Sequence, residues 1–122
     1  MVYNLPTITL GRTGLLVTRL GIGGAYCKTV EGYRAALEMG VTYVDTARSY
    51  NDGKDEQFIG EAIAGKRSRL TLATKTASRD AKGARADLET SLRLLRTDHI
   101  DIWQLHGLDK QADREKALGP GG

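Results

Sequence analysis

Four residues place unlike chemistries at the ends of short apolar runs. Asp45, Lys75 and His106 each close one such run, and Tyr50 follows Asp45 by five positions. A phenol with an ordinary pKa of about 10 is a poor proton donor near neutrality, but a neighbouring ammonium stabilises the phenolate and eases release of the proton. Lys75 is the candidate ammonium, and Asp45 is the acid that pairs with it and holds it. His106 is the imidazole that orients or polarises a carbonyl oxygen. The group fits addition of hydride to a carbonyl carbon with Tyr50 protonating the oxygen. No side chain donates hydride, so a nicotinamide cofactor is needed.

For these groups to meet, the chain must deliver them to one end of a sheet, which is what parallel α/β folds do at the C-terminal ends of their strands. Residues 8–10 and 15–17 flank Gly11 and Gly14, glycines that tolerate a positive φ, and predict a short β-hairpin. Residues 20–24 form a first short strand that runs into a loop. Val30, Tyr33 and Leu37 recur at helical spacing, with Thr29 as cap and Gly40 just past the end. Residues 41–45 are β-branched and aromatic and predict a second strand. Asp52 is the expected N-cap of a second helix. Asp55 and Glu56 suit its positive pole, Phe58, Ile59, Ala62 and Ile63 form its apolar stripe, and it ends near Gly65. A third strand covers residues 70–75. A third helix, capped by Asp80, carries Ala81, Ala84, Leu88, Leu92 and Leu95, and a fourth strand covers residues 100–106. Residues 109–116 read as helical or loose. Alternation of period two puts Tyr43 with Asp45, Ala73 with Lys75, and Gln104 with His106, each set on one face. Strict alternation of strand and helix is the pattern of right-handed βαβ units in a parallel sheet.

The bulk properties exclude several classes. With 122 residues, 40% hydrophobic and 27% charged, the chain has the composition of an ordinary globular domain with a core. The net charge of +3 is spread along the chain except at residues 66–69, Lys-Arg-Ser-Arg. That cluster lacks interleaved aromatics and predicts a solvated loop rather than a nucleic-acid partner. One cysteine, Cys27, forms no internal disulfide, and the N-terminus lacks the charged-then-apolar pattern of a secretion signal, so a cytoplasmic location is expected. No apolar stretch approaches the roughly 20 residues of a membrane span, and no membrane partner is expected.

The segment from Gly40 through Asp45 to Tyr50, then Ile59-Gly60 with Ala62, the strand ending in Lys75, Asp87 to Leu92 with Leu95, and Asp98, Ile100, Asp101 and His106 together resemble the aldo-keto reductase family. The resemblance runs in order from about residue 5 to residue 108. It implies that residues 1–122 form the N-terminal half of a (β/α)8 TIM barrel, of about four β/α units, with the hairpin closing the barrel bottom. It implies that Asp45, Tyr50, Lys75 and His106 match the catalytic residues, with Tyr50 as general acid. NADPH or NADH would bind without a Rossmann fold, with Gly24, Ala25 and Asp45 at the cofactor and Tyr26 at the carbonyl substrate. Where the family pattern has a glycine after the tyrosine, this chain has Asn51.

A complete barrel of this type needs about 250 residues, so truncation is expected, with weak or no cofactor binding by the chain alone. Open strand edges and an uncovered inward face would then favour self-association of a non-catalytic half-barrel. Two further readings stand beside these. Lys75 at a strand end could attack a carbonyl as a Schiff-base aldolase, although Asp45 opposes the neutral amine this requires. Gly21, Gly23 and Gly24 after a strand echo a dinucleotide fingerprint, but Tyr26 occupies the place of its last glycine. Trp103 is expected to pack beneath a helix, and Tyr26 and Cys27, in the loop after the first strand, could line a substrate pocket but are expected rather to pack within the loop.

Overall fold

The computed structural model describes residues 3–122. Met1 and Val2, where the reading of the N-terminus as lacking a secretion signal begins, lie outside the described residues. Strands β1 (Thr7–Thr9) and β2 (Leu16–Thr18) pair antiparallel, with Ile8 opposite Val17. Their turn uses Gly11 and Gly14 at φ +53° and +77°, and the Thr13 hydroxyl donates to Leu10 O at 2.6 Å. The predicted hairpin is present.

The second sheet has four parallel strands in sequence order: β3 (Ile22–Gly23), β4 (Tyr43–Asp45), β5 (Thr71–Thr76) and β6 (Ile102–Leu105). Helices α1 (Val30–Glu38), α2 (Asp55–Ala62) and α3 (Ala81–Leu95) connect them, and α4 (Gln111–Leu118) follows β6. Two caps form as expected: the Thr29 hydroxyl accepts from Gly32 N at 3.0 Å, and the Asp80 carboxylate accepts from Gly83 N at 2.8 Å. Residues 109–116, read as helical or loose, are largely helical in α4. Among the described residues no helix is long and apolar enough to cross a membrane.

One face of the sheet meets the helices. Tyr33 of α1, Val44 of β4, Ile59 and Ala62 of α2, Leu72 of β5 and Leu95 of α3 form the buried core between them. Each large apolar side chain buried in this way contributes about 1.5–3 kcal/mol. Helices α2 and α3 approach so closely at Gly60 that a Cβ there would run into the Leu94 carbonyl oxygen, so a glycine is required. The same face of β5 is polar at two places: the Thr74 hydroxyl donates to Glu56 Oε1 of α2 at 2.7 Å, and the Thr76 hydroxyl to Asp87 Oδ2 of α3 at 2.5 Å. Trp103, the register partner of Thr74, shares this helix-side face and is half-buried.

The opposite face carries Tyr43, Asp45, Ala73, Lys75 and Gln104. The expectation of a bare inward face holds only in part. Ala73 is fully buried because its register partners, Asp45 and Ile102, stand taller than its methyl group. Two other expectations need correction. Asp52 is not a helix cap: it has φ 54°, and the N-cap of α2 is Lys54, which makes no capping bond through its side chain. The basic cluster at 66–69 is not simply a solvated loop. Arg67 folds back to donate to the Thr97 hydroxyl, Leu70 O, His99 O and Asp101, and it closes the loop before β5 onto the segment before β6.

Candidate active site

Asp45 ends β4, Lys75 stands one residue from the end of β5, and His106 follows β6 directly, so the parallel sheet carries all three to one edge. There they meet. The Lys75 ammonium has three protons, of which one is donated to Asp45 Oδ2 at 2.7 Å and one to Thr46 O at 2.7 Å. The same Nζ lies 4.8 Å from the centroid of the Tyr50 ring, inside the range of cation–π attraction. The Tyr50 and His106 rings meet edge to face, with centroids 5.5 Å apart and planes at 87°. All four side chains are half-buried, which weakens the screening of their charges without removing access from solvent. The nearby Tyr43 phenol is pushed upward by burial and then by the Asp45 carboxylate, with Lys75 opposing, so it stays protonated at neutral pH.

Tyr50 opens a 3-10 turn, Tyr50–Gly53, in which Asn51 (φ 51°, ψ 47°) and Asp52 (φ 54°, ψ 37°) are both left-handed. That conformation costs most L-residues about 1–2 kcal/mol, Asn and Asp tolerate it best among the non-glycine types, and tertiary bonds help to hold the turn. Those bonds come from the Asn51 amide, which donates to Cys27 O at 2.8 Å, Asp55 Oδ1 at 2.6 Å and Gly24 O at 3.3 Å. Asp55 also accepts from the Thr46 hydroxyl at 2.5 Å and the Tyr33 hydroxyl at 2.8 Å. Beside it, the Glu56 carboxylate is ion-paired with Arg48. Asn51, Asp55, Glu56 and Arg48 were not among the sequence-derived site residues. Helical spacing carried a signal for the acids: Asp55 precedes Ile59 by four and Ala62 by seven, which places it on the buried stripe.

Burial raises Asp55 above the ordinary carboxylate range, while the hydroxyl and amide donors of Thr46, Tyr33 and Asn51 oppose the shift. A carboxyl raised in the folded state contributes stability that is fully present below its unfolded pKa, about 3.9, and lost as pH rises through the folded value. Asp55→Asn removes that loss. Urea unfolding should therefore show the variant gaining on the parent as pH rises from the unfolded pKa toward neutrality. A difference that stays constant with pH would contradict this origin.

His106 is held through its backbone. Its N–H donates to Thr76 O at 2.8 Å, and its carbonyl accepts from Arg79 Nη2 at 2.5 Å. Arg79 is steadied in turn by Asp113 of α4, 3.7 Å away. Gln104, beside Lys75 in register, keeps a buried Oε1 without a hydrogen-bond partner among the described residues.

The residues of the β3–α1 loop divide. Gly24 is buried, and a Cβ on it would strike Asp55 Oδ2, so its glycine identity follows from packing against that carboxylate. Ala25 lines a cleft of about 410 Å³ with Lys28, Ser49, Tyr50, Asn51, Asp52 and Phe58. Tyr26 does not line it and is 91% exposed, so it is not packed into its loop. A cavity of about 470 Å³ lies at the other ends of the strands, between Val41 and Leu70, far along the sheet from the four groups.

The model of the aldo/keto reductase family matches residues 24–119. The chain is similar to Aldo-keto reductase YhdN of Bacillus subtilis, 39% identical over 124 residues that cover 83% of this chain and 38% of YhdN. It is also similar to Methylglyoxal reductase YeaE of Escherichia coli, 42% identical over 109 residues, 87% of this chain and 38% of that protein. Among solved structures, an aldo/keto reductase from Klebsiella pneumoniae in complex with NADP and acetate superposes with a TM-score of 0.74 at 32% identity, over 83% of this chain and 39% of that one. The chain thus spans about two-fifths of the length of the relatives it matches.

Proposed function

Because this chain belongs to the aldo/keto reductase family, we propose that it supplies the proton-transfer half of an NAD(P)H-dependent carbonyl reductase that converts aldehydes or ketones to alcohols. The single observation that carries the reading is the meeting of Lys75 with Asp45, Tyr50 and His106 at one sheet edge. In it, Asp45 and Thr46 O fix the ammonium, the ammonium faces the Tyr50 ring, and the Tyr50 hydroxyl gives its proton to the carbonyl oxygen. His106 orients that oxygen, and Arg79 orients His106. The nicotinamide cofactor, NADPH or NADH, supplies the hydride when bound. The cleft at Ala25, with the positive Lys28 and the Tyr50 wall, fits an anionic nucleotide, and Gly24, Ala25 and Asp45 are proposed as its contacts in this chain. Tyr26, exposed beside that loop, is proposed to face the substrate. A cytoplasmic location belongs to the same proposal.

The test joins residues 1–122 to the remaining β/α units of YhdN and follows NADPH consumption with a panel of small aldehydes. Turnover supports the reading. Borohydride trapping of substrate mass on Lys75 without NADPH consumption would replace it by Schiff-base chemistry, for which the doubly bonded ammonium is poorly prepared.

One observation favours a second role for the chain by itself. Among the described residues strand β3 pairs only with β4, and β6 only with β5, so the sheet has two outer edges with free backbone donors and acceptors, and Leu105 is exposed on one of them. The isolated chain should self-associate through these edges. Light scattering is expected to give a mass above that of the monomer that rises with concentration, and a clean monomer across the series would end this reading.

A further inference from the structure

The Asn51 amide is placed where two parts of the reaction group can be fixed at once. It sits in the chain directly after Tyr50, and it donates to Asp55 Oδ1 at 2.6 Å. Asp55 accepts the Thr46 hydroxyl at 2.5 Å, and the carbonyl of that same Thr46 accepts the Lys75 ammonium at 2.7 Å. A second branch of the amide, to Cys27 O and Gly24 O, ties the turn to the β3–α1 loop, and Gly24 N is itself bonded to Asp45 O at 2.8 Å. Both branches therefore end on the residues that hold Lys75. The turn they secure is left-handed at Asn51 and Asp52, a conformation uncommon outside glycine and tolerated best by Asn and Asp.

We infer that Asn51 and Asp55 are positioning residues that set the Tyr50 ring against Lys75 and His106, through one amide and one buried carboxyl shared between the tyrosine turn and the end of β4. The inference rests on the proposed reductase reading for its purpose, but its geometry can be read without turnover. Glycine at 51 is the informative substitution, since it keeps the left-handed backbone free of strain and removes only the amide.

In the labelled chain, the Tyr50 ring current should shift the Lys75 ε-methylene protons upfield, and Tyr50 and His106 ring protons should show a cross-relaxation peak. Asn51→Gly is expected to lose both signals while circular dichroism shows the helices retained. Asp55→Asn, which leaves an oxygen to accept the Asn51 amide, is expected to keep both. Retention of both signals in Asn51→Gly would overturn the inference. Should that variant not fold, the parent chain decides: slow solvent exchange of the Asn51 side-chain amide protons supports the inference, and exchange at the free-amide rate overturns it. Failure of carbonyl reduction alongside intact Tyr50–Lys75–His106 contacts would count against the reductase reading alone.

Discussion

In a barrel completed by the units of YhdN, Tyr50→Phe is expected to lower kcat for carbonyl reduction by about 10²- to 10⁴-fold, the usual worth of a positioned general acid. The ring itself should stay in place. It is held by the Lys75 ammonium on its face and by the edge of His106, and neither contact needs the hydroxyl. Cofactor affinity should therefore change little, and the loss should fall on kcat and kcat/KM together, as when an interaction made only in the transition state is removed. A phenylalanine variant with the parent's rate would show that the proton comes from elsewhere, with His106 the next group to test.

The second large effect concerns stability and lies away from the reacting groups. Glu56 is fully buried, accepts the Thr74 hydroxyl, and is ion-paired with Arg48. Removing one partner of a buried pair costs about 3–5 kcal/mol, and because the Arg48 side chain keeps 24% exposure the lower end applies. Against a typical total of about 5–15 kcal/mol, Glu56→Ala should remove a large share of the stability at 25 °C. Glu56→Gln, which keeps an acceptor for Thr74, should lose distinctly less. Urea titration of both variants checks the order, and equal midpoints for the alanine variant and the parent would refute the assigned role. Arg48 also bonds its backbone N–H to Lys75 O at 3.3 Å, so the alanine variant is expected to loosen that strand end as well.

Much of this was legible in the sequence. The period-two run before Asp45 and the run before Lys75 placed both residues at strand ends, and the helical spacing of Leu88, Leu92 and Leu95 gave α3 with its Asp80 cap. Three of the parallel strands came out longer than the structure has them, since the apolar residues at 20, 41 and 100 continue the pattern of a strand without finding a ladder partner there, and the strand expected over residues 70–75 lies one residue later, at Thr71–Thr76. The turn after Tyr50 was the least readable part. Asp52 has the chemistry of a helix cap, yet two left-handed residues intervene, and what stabilises them is an amide bonded to carbonyls 24 and 27 positions earlier in the chain. Asp55 and Glu56 looked like first-turn acids suited to a helix dipole, because their charge outweighed the helical spacing that puts Asp55 on the buried stripe. Their partners Tyr33, Thr46 and Thr74 are uncharged or distant, so no local pattern announces them.

Thr74 and Thr76, two residues apart on the helix side of β5, each grip an acid on a different helix. Apolar side chains alone would let α2 and α3 glide along the strand with little penalty, since one oily neighbour serves nearly as well as another. The two hydroxyls act instead as notches on a ruler. A slip of one residue along β5 turns both threonines to the far side and takes a hydroxyl donor from each carboxylate, that of the fully buried Glu56 included. The central strand thus sets the phase of the whole helical layer, and with it the height at which Tyr50 and Lys75 come to lie.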